Sequence, residues 1–170
     1  MPVRLVVTAY TRAVNAGGGA YTDSVGTLWA AAQQYSAGSW GYVNKSKSVS
    51  TKKAISGTVD DPLYQVQRSD ILEYRFELPN KLPVGTYEVE LLWAELGPIQ
   101  PNKRVFDVML EGSMAIYAHD IALEVGNFAA DKHSLFVTVT DGQLNVRFVP
   151  RKGYALPIIN ALRVTHMPDK

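Results

Sequence analysis

The chain contains no cysteine among its 170 residues, so disulfide bonds, thiol catalysis and cysteine-ligated zinc sites are excluded. It has no run of the roughly 18 apolar residues that a membrane-spanning helix needs. It also lacks an excess of charge of one sign, because 17 basic and 16 acidic residues give a net charge of +1 at pH 7. So small a net charge creates no overall field to attract nucleic acid or an anionic membrane, and we predict neither as a partner.

The N-terminus lacks the features of a signal peptide, because Met1-Pro2-Val3-Arg4 provides no basic segment followed by a long apolar one. Two interpretations remain. The protein could be cytoplasmic, or it could be a module taken from a longer secreted protein. The length predicts one domain over residues 1–170 with room for a sizeable core.

Alternation of apolar and polar residues is the strongest local signal, and it predicts strands with one buried face. Five segments show it: 72–78, 87–93, 106–110, 135–139 and 144–148. The termini add possible strands at 3–7 and 158–164. Asp141-Gly142 lies between the last two of the five segments and predicts a hairpin there. Residues 27–35 could form two helical turns or a loop, and residues 120–126 could form one short turn of helix.

Many short, half-polar strands with little helix predict an all-β fold, an antiparallel β-sandwich. The basic, serine-rich segment 44–53 is predicted to be an exposed loop or an edge strand. A phosphate- or RNA-binding patch is the alternative, which is weakened because the nearest aromatic residues lie outside the segment. Gly17-Gly18-Gly19 lacks the Gly-Lys-Ser/Thr ending of a phosphate-binding loop, so a tight turn or close backbone packing explains it better.

Several motifs occur in a characteristic order between about residue 12 and residue 166. They include Val14-Asn15-Ala16-Gly17-Gly18, Asp60-Asp61-Pro62-Leu63-Tyr64, Trp93-Ala94-Glu95-Leu96, Arg104-Val105-Phe106-Asp107-Val108 and Pro157-Ile158-Ile159-Asn160-Ala161. With these motifs the chain resembles the malectin family, and in particular the bacterial malectin-like carbohydrate-binding modules. The resemblance covers nearly the whole chain.

The resemblance implies a jelly-roll-like β-sandwich with a sugar site in loops at one end, lined by aromatic rings and a carboxylate. It also implies a non-catalytic domain that belongs to a larger enzyme or surface protein and is extracellular or at the cell surface. Tyr42 matches a sugar-stacking tyrosine of animal malectin, but other ligand positions differ. Ser69 replaces a tyrosine, and Leu96-Gly97 replaces an aromatic pair. The position of a ligand aspartate near the C-terminus corresponds approximately to Ala155, beside Tyr154. The fold expectation therefore stands, while the identity of the sugar is left open.

Sugar recognition needs flat rings that stack on C–H faces and polar groups that hydrogen-bond hydroxyls. The residues that we predict to bind the ligand are Trp40, Tyr42, Asp61, Arg68, Glu95 and Tyr154. Each has a structural alternative. Trp40 and Tyr42 could form a satellite hydrophobic cluster, and Arg68, Glu95 and Arg104 could form a buried ion-pair network that fixes loops.

Asp60 and Asp61 have three possible roles: capping a turn, contacting sugar, or binding a structural Ca²⁺. In the last case the other oxygen donors would be Asn15, Asp23 or Asn160. A turn role is favoured, because no contiguous loop has the spacing of a dedicated calcium motif, so no cofactor is predicted beyond this possible calcium. The histidines, at positions 119, 133 and 166, lack the spacing of a zinc motif, and a zinc site is not predicted.

No serine lies in a Gly-x-Ser-x-Gly elbow, and the sequence alone shows no carboxylate pair across a cleft. We therefore predict a non-catalytic carbohydrate-binding module, most simply for a glucan-type oligo- or polysaccharide. The alternative is a structural or protein-interaction sandwich that has lost its sugar pocket. A lyase or hydrolase is the third hypothesis.

Overall fold

The computed structural model describes residues 10–79 and 85–168, together with residue 2. The described part contains fourteen strands and two short helices. The elements are β1 (Thr11–Asn15), β2 (Tyr21–Thr22), β3 (Leu28–Ala31), β4 (Trp40–Tyr42), β5 (Lys47–Ser50), α1 (Asp61–Tyr64), β6 (Val66–Ser69), β7 (Glu73–Glu77), β8 (Gly85–Trp93), β9 (Phe106–Leu110), β10 (Ser113–His119), α2 (Ile121–Val125), β11 (Asp131–Val139), β12 (Gln143–Pro150), β13 (Ile158–Ile159) and β14 (Ala161–Met167).

Two large sheets enclose the main core. One has the strand order β11-β8-β14-β1-β3-β2 and the other has the order β10-β9-β12-β7-β4. Strand pairs within them are antiparallel except for β1 and β3, which are parallel. Inward side chains of both sheets, such as Val89 and Trp93 from β8 and Tyr74 and Phe76 from β7, are fully buried in one cluster. The predicted all-β antiparallel sandwich is confirmed, and the jelly-roll connectivity stays a prediction.

A third, small sheet has the order β13-β6-β5. Its edge strand β5 is exposed at all four residues, which confirms an edge strand in the serine-rich segment. Gly17 packs against β6 so closely that an added Cβ would overlap the backbone of Gln67. Close backbone packing therefore explains the first glycine of the glycine run.

The five strands predicted from alternation are all present, as β7, β8, β9, β11 and β12. The segment 158–164 is divided into β13 and β14 at Asn160, and the segment 3–7 lies outside the described residues. The helical alternative for residues 27–35 is wrong, because β3 pairs there with β1 and β2 and buries Trp29. The short helix within 120–126 is confirmed as α2, whose N-cap is Asp120 and whose C-cap is Gly126.

The predicted hairpin at Asp141-Gly142 is wrong. Gly142 does adopt a left-handed φ of 76°, so the chain reverses there. However, β11 pairs with β8 in one large sheet, while β12 pairs with β7 and β9 in the other. The dipeptide specifies a tight reversal but not the partner of either strand, and here the reversal carries the chain between the two sheets.

Asn160 joins the small sheet to the large one. Its side chain is fully buried, and its Oδ1 accepts a hydrogen bond from the Ala94 backbone N–H at 3.0 Å. Its Nδ2 donates to the backbone carbonyls of Tyr64 and Val66 at 2.9 and 3.0 Å. One amide thus holds the C-terminal end of β8 beside the start of β6, and the candidate site lies at this junction.

Candidate functional site

A cavity of about 330 Å³ opens between the small sheet and the loop that follows β8. Such a volume is at the lower end of the range of about 300–1,000 Å³ found for small-molecule sites. Its wall is formed by Val49, Gln67, Ser69, Glu95, Leu96, Gly97, Pro98, Ile99 and Arg104. The cavity therefore has an apolar side supplied by the loop and a polar side that can hydrogen-bond a ligand.

A carboxylate and a guanidinium pair in the wall of the cavity. Arg104 Nε donates to Glu95 Oε1 at 2.9 Å, and the side chains are 15% and 3% exposed, respectively. Arg104 Nη1 also donates to the backbone carbonyl of Leu156. Burial raises the pKa of the Glu95 carboxyl above its ordinary value, although the Arg104 guanidinium opposes this shift. The pair both fixes the loop and presents charge to the cavity.

Gln67 adds a polar group that the sequence analysis did not select. Its side chain is 5% exposed, and its Oε1 atom is buried without a hydrogen-bond donor. Gln67 and Ser69 line the cavity from β6, whereas Arg68 between them contacts Ala16, Ser46 and Tyr42 elsewhere. Alternation along β6 was the available signal, because neighbours in a strand point to opposite faces.

Two side chains that flank α2 hold the loop that forms the cavity wall. Asn127 pairs with Ile99 through both amide groups: the Ile99 N–H donates to Asn127 Oδ1 at 3.2 Å, and Asn127 Nδ2 donates to the Ile99 carbonyl at 3.1 Å. Asp120, the N-cap of α2, accepts from the Asn102 N–H at 2.6 Å. The loop is therefore tied at two points to the segment around α2.

Of the six predicted ligand residues, Trp40, Tyr42 and Arg68 come together away from the cavity wall. Trp40 and Tyr42 lie in strand β4 rather than in a loop, and both pack against the main core. The Trp40 ring stacks on Phe76 with ring centroids 6.5 Å apart. Arg68, which is buried, places its guanidinium carbon 3.9 Å from the centre of the Tyr42 ring. The rings are half-buried, so their ligand role stays a prediction.

Asp61 and Tyr154 lie apart from the cavity wall. Asp61 begins α1, and its Oδ2 accepts from the Ile55 N–H at 2.9 Å, which fits the turn role weighed for it. Tyr154 is half-buried in the loop before β13, where its backbone N–H donates to Arg151 at 3.2 Å. Within the predicted set, Glu95 alone lines the cavity.

The aspartates considered for calcium accept hydrogen bonds within loops, whereas Asn15 Oδ1 is buried without a partner. Asp60 accepts from Tyr21 and from the backbone and side chain of Ser24. Asp23 accepts from Trp29 Nε1 at 3.0 Å and from two backbone N–H groups of its own turn. Desolvation tends to raise the pKa of Asp23, but these hydrogen bonds outweigh it and hold the pKa below its ordinary value. Both carboxylates therefore fix loop conformation.

Two histidines and two carboxylates, His119, Glu124, Asp131 and His133, meet where β10, α2 and β11 join. One potential ligand atom from each lies within 4.8 Å of the others. The sequence spacing gave no indication of this group, because the members come from three different elements. Within the described ranges 10–79 and 85–168, these four residues form a group whose donor atoms could hold a metal ion.

The fold and the cavity define a β-sandwich binding domain, and comparison with known proteins identifies its family. The family model for the Malectin domain matches residues 10–162, so the chain belongs to the malectin family. Malectin from Mus musculus is 31% identical over 137 residues, which are 79% of this chain and 45% of that protein. The chain thus spans about half the length of the curated relatives that it matches.

Solved structures share the fold. Bacteroides uniformis β-glucuronidase is 28% identical with a TM-score of 0.82, over 93% of this chain and 18% of that one. The ANX1 ectodomain from Arabidopsis thaliana is 15% identical with a TM-score of 0.76, over 92% of this chain and 48% of that one, and it supports the fold alone.

Family membership supports carbohydrate binding as the general function of the domain. The malectin family is a family of non-catalytic binding domains. Neither described helix is long and apolar enough to cross a membrane.

Proposed function

We propose that this chain is a non-catalytic carbohydrate-binding module that holds a glycosyl unit in the cavity between β6 and the loop after β8. The observation that carries the proposal is the polar side of this cavity, which is lined by the Glu95–Arg104 pair and by Gln67, whose Oε1 is a buried acceptor without a donor. A buried acceptor of this kind is costly unless a ligand or water donates to it. A sugar hydroxyl is such a donor.

The family resemblance supports the same location. Three positions at which animal malectin has ligand residues correspond here to Ser69, Leu96 and Gly97, and all three line the cavity. The aromatic pair of the relative is replaced by an apolar wall that includes Pro98 and Ile99. Contact with the C–H face of a sugar is then made by aliphatic groups rather than by rings, which favours weak binding of a single unit. We favour a glucan-type ligand.

The lengths of the similar proteins support a module within a longer protein. The chain corresponds to 18% of the Bacteroides uniformis enzyme and to 48% of the Arabidopsis thaliana ectodomain. We propose that it belongs to a larger secreted enzyme or surface protein and that it works outside the cell. In such a protein, binding to glycan would raise the local concentration of substrate or hold the protein at a surface.

Isothermal titration calorimetry with oligosaccharides from α-glucans, β-glucans, xylan and mannan tests the proposal. We expect saturable binding to at least one of them, and a loss of affinity of about tenfold in Gln67→Met, since one hydrogen bond contributes about 1–1.5 kcal/mol. Gln143→Met is the matched control, because this glutamine bonds Glu77 outside the cavity. Its affinity should equal that of the unchanged chain.

Trp40→Ala distinguishes the cavity from an aromatic platform on β4. If this variant abolishes binding while Gln67→Met leaves it unchanged, the location in the cavity is wrong and the aromatic platform is supported. Absence of heat with every glycan would contradict sugar binding and favour a protein-interaction sandwich. Release of reducing ends from any polysaccharide would contradict the non-catalytic assignment.

A further inference from the structure

The cluster of His119, Glu124, Asp131 and His133 lies where β10, α2 and β11 meet, and none of its members lines the sugar cavity. His119 Nε2 is 3.0 Å from Asp131 Oδ2, and its Nδ1 is 3.3 Å from Glu124 Oε1. His133 Nε2 lies 3.0 Å from Glu124 Oε2 and 3.2 Å from Asp131 Oδ1. From this geometry we infer that the cluster is a binding site for a divalent transition-metal ion of the Zn²⁺ class.

Each ligand is placed by the element that carries it. Register shifts in β10 on either side of Ile116, with Ala118 at a φ of 53°, precede His119 at the end of the strand. Its ring packs on Trp93, with centroids 4.4 Å apart, and on Phe106, with centroids 5.6 Å apart. These contacts hold the imidazole in one orientation, as a ligand requires.

The two carboxylates and the second histidine come from α2 and β11. Asp131 and His133 are two residues apart in β11, so both side chains lie on the same face of the strand, while Lys132 between them is exposed. Glu124 projects from α2, which Asp120 caps by accepting from the Leu123 N–H at 3.0 Å. Three elements thus bring one donor atom from each residue within 4.8 Å of the others.

The polar atoms at the centre of the cluster are buried without hydrogen bonds. The His119 side chain is 0% exposed, yet neither Nδ1 nor Nε2 makes a hydrogen bond of proper geometry, and the same holds for Asp131 Oδ2. Buried polar atoms without partners are rare in native proteins, because each costs desolvation energy. A metal ion bound to one His119 nitrogen and to Asp131 supplies a partner there, and the other nitrogen is left facing a carboxylate oxygen.

The charges of the cluster are consistent with a divalent metal ion. Two carboxylates carry a charge of about −2, and neutral imidazoles add none. Protonated histidines could balance the same charge, because His119 lies 3.0 and 3.3 Å from the two carboxylates, so protons would compete with a metal ion for the cluster. A divalent cation between neutral imidazoles and the two carboxylates gives a neutral cluster instead.

The donor set selects the class of metal. Imidazole nitrogens suit Zn²⁺ and its neighbours in the first transition row, whereas Ca²⁺ and Mg²⁺ prefer oxygen donors only. Zinc bonds of about 2.0–2.2 Å in a tetrahedron place neighbouring ligand atoms roughly 3.3 Å apart. One donor atom from each residue lies within 4.8 Å of the others, so the side chains must close in by roughly 1–1.5 Å to bind the ion. Four protein ligands describe a structural site rather than a catalytic one.

Solvent can reach the cluster from one side, because the Glu124 and His133 side chains are 41% and 29% exposed. This exposure provides a path for the ion. It also makes these two residues suitable for substitution, since neither is part of the buried core, whereas replacing His119 would disturb the packing around Trp93.

The test uses an untagged chain that has been freed of metal by dialysis against a chelator. Calorimetric titration with Zn²⁺ should show one site, and Zn²⁺ should raise the melting temperature because it binds the folded state. Glu124→Gln and His133→Gln should each weaken Zn²⁺ binding at least tenfold. The control Glu88→Gln replaces a half-buried glutamate outside the cluster that accepts a hydrogen bond from Ser134, and it should bind Zn²⁺ unchanged. Co²⁺ should give the visible absorption of a tetrahedral site.

The inference is overturned if Zn²⁺ does not bind saturably, or if both cluster variants bind it as well as the unchanged chain does. Saturable binding of Ca²⁺ in place of Zn²⁺ would overturn the choice of metal class. Circular dichroism of each variant, compared with that of Glu88→Gln, shows whether a loss of binding reflects unfolding. These readouts do not involve glycan, so they are independent of the proposed sugar cavity.

Discussion

Removing Arg104 isolates the energetic role of the ion pair in the cavity wall. The substitution Arg104→Met keeps a long apolar stem but leaves the Glu95 carboxylate, whose side chain is 3% exposed, without its cation. Breaking a buried ion pair from one side costs about 3–5 kcal/mol. Because the Arg104 side chain is itself 15% exposed and water can reach that end of the pair, we expect a loss of roughly 2–4 kcal/mol in the free energy of unfolding.

This loss has a measurable size in a chain of 170 residues. A change of 1 kcal/mol shifts the melting temperature of a domain of this length by about 2–4 °C, so a loss of about 3 kcal/mol predicts a decrease of roughly 6–12 °C. Calorimetric melting at neutral pH, combined with urea unfolding at 25 °C, provides both quantities. The glycan titration described above should show weakened binding in the same variant.

The double variant Glu95→Leu/Arg104→Met separates the loss of a partner from the loss of the pair. Replacing both members of a buried pair with apolar groups is often neutral, so this protein should unfold within about 1 kcal/mol of the unchanged chain. Glycan binding should nevertheless remain weak, since the polar side of the cavity is gone. If Arg104→Met alone destabilises by less than about 0.5 kcal/mol, the pair does not have the buried character argued for it.

Three further substitutions test the loops and junctions around the site. Asp23→Asn should destabilise the fold at neutral pH but not in acid. A native pKa below the ordinary value stabilises the fold above about pH 4, and that contribution disappears as the pH falls through the native pKa. Urea unfolding from pH 3 to 7 should show the stability of the variant and that of the unchanged chain converging in acid, and a constant difference would refute this. Asn160→Ala removes three buried hydrogen bonds and should cost about 3 kcal/mol in guanidinium unfolding, whereas a loss below about 1 kcal/mol would show that water replaces them. Gly17→Ala should lower both melting temperature and glycan affinity by displacing Gln67, whereas Gly19→Ala, whose added Cβ would meet nothing within 4 Å, should change neither.

Period-two alternation identified the strands because it reports which side chains share a face. The same signal carries no information on which strand lies beside another. For this reason the reversal at Gly142 was predicted to join paired strands, although its flanking strands lie in different sheets. The segment 27–35 was difficult to predict for a related reason. Its alanines favour a helix locally, but β3 is held by pairing with β1 and β2, and helix propensity carries no information on such pairing.

The residues of the candidate site were likewise predicted only in part. Glu95 was predicted because it ends an alternating strand at the rim, and it does line the cavity. Gln67 was missed because a glutamine beside a conspicuous arginine gives no chemical signal until its carbonyl oxygen is seen to be buried without a donor. His119 and His133 were missed because their proximity depends on the bulged end of β10 meeting the start of β11, which no spacing rule describes.

The short helix α2 connects the two sites that the sequence could not place. On one side, Asp120 and Asn127, which flank the helix, hold Asn102 and Ile99 in the loop of the sugar cavity. On the other side, Glu124 within the helix reaches the histidine cluster. A helix of five residues has too few internal hydrogen bonds to be stable alone, so its position is determined by these contacts. The loop in the cavity wall and the histidine cluster therefore share α2 as a common support.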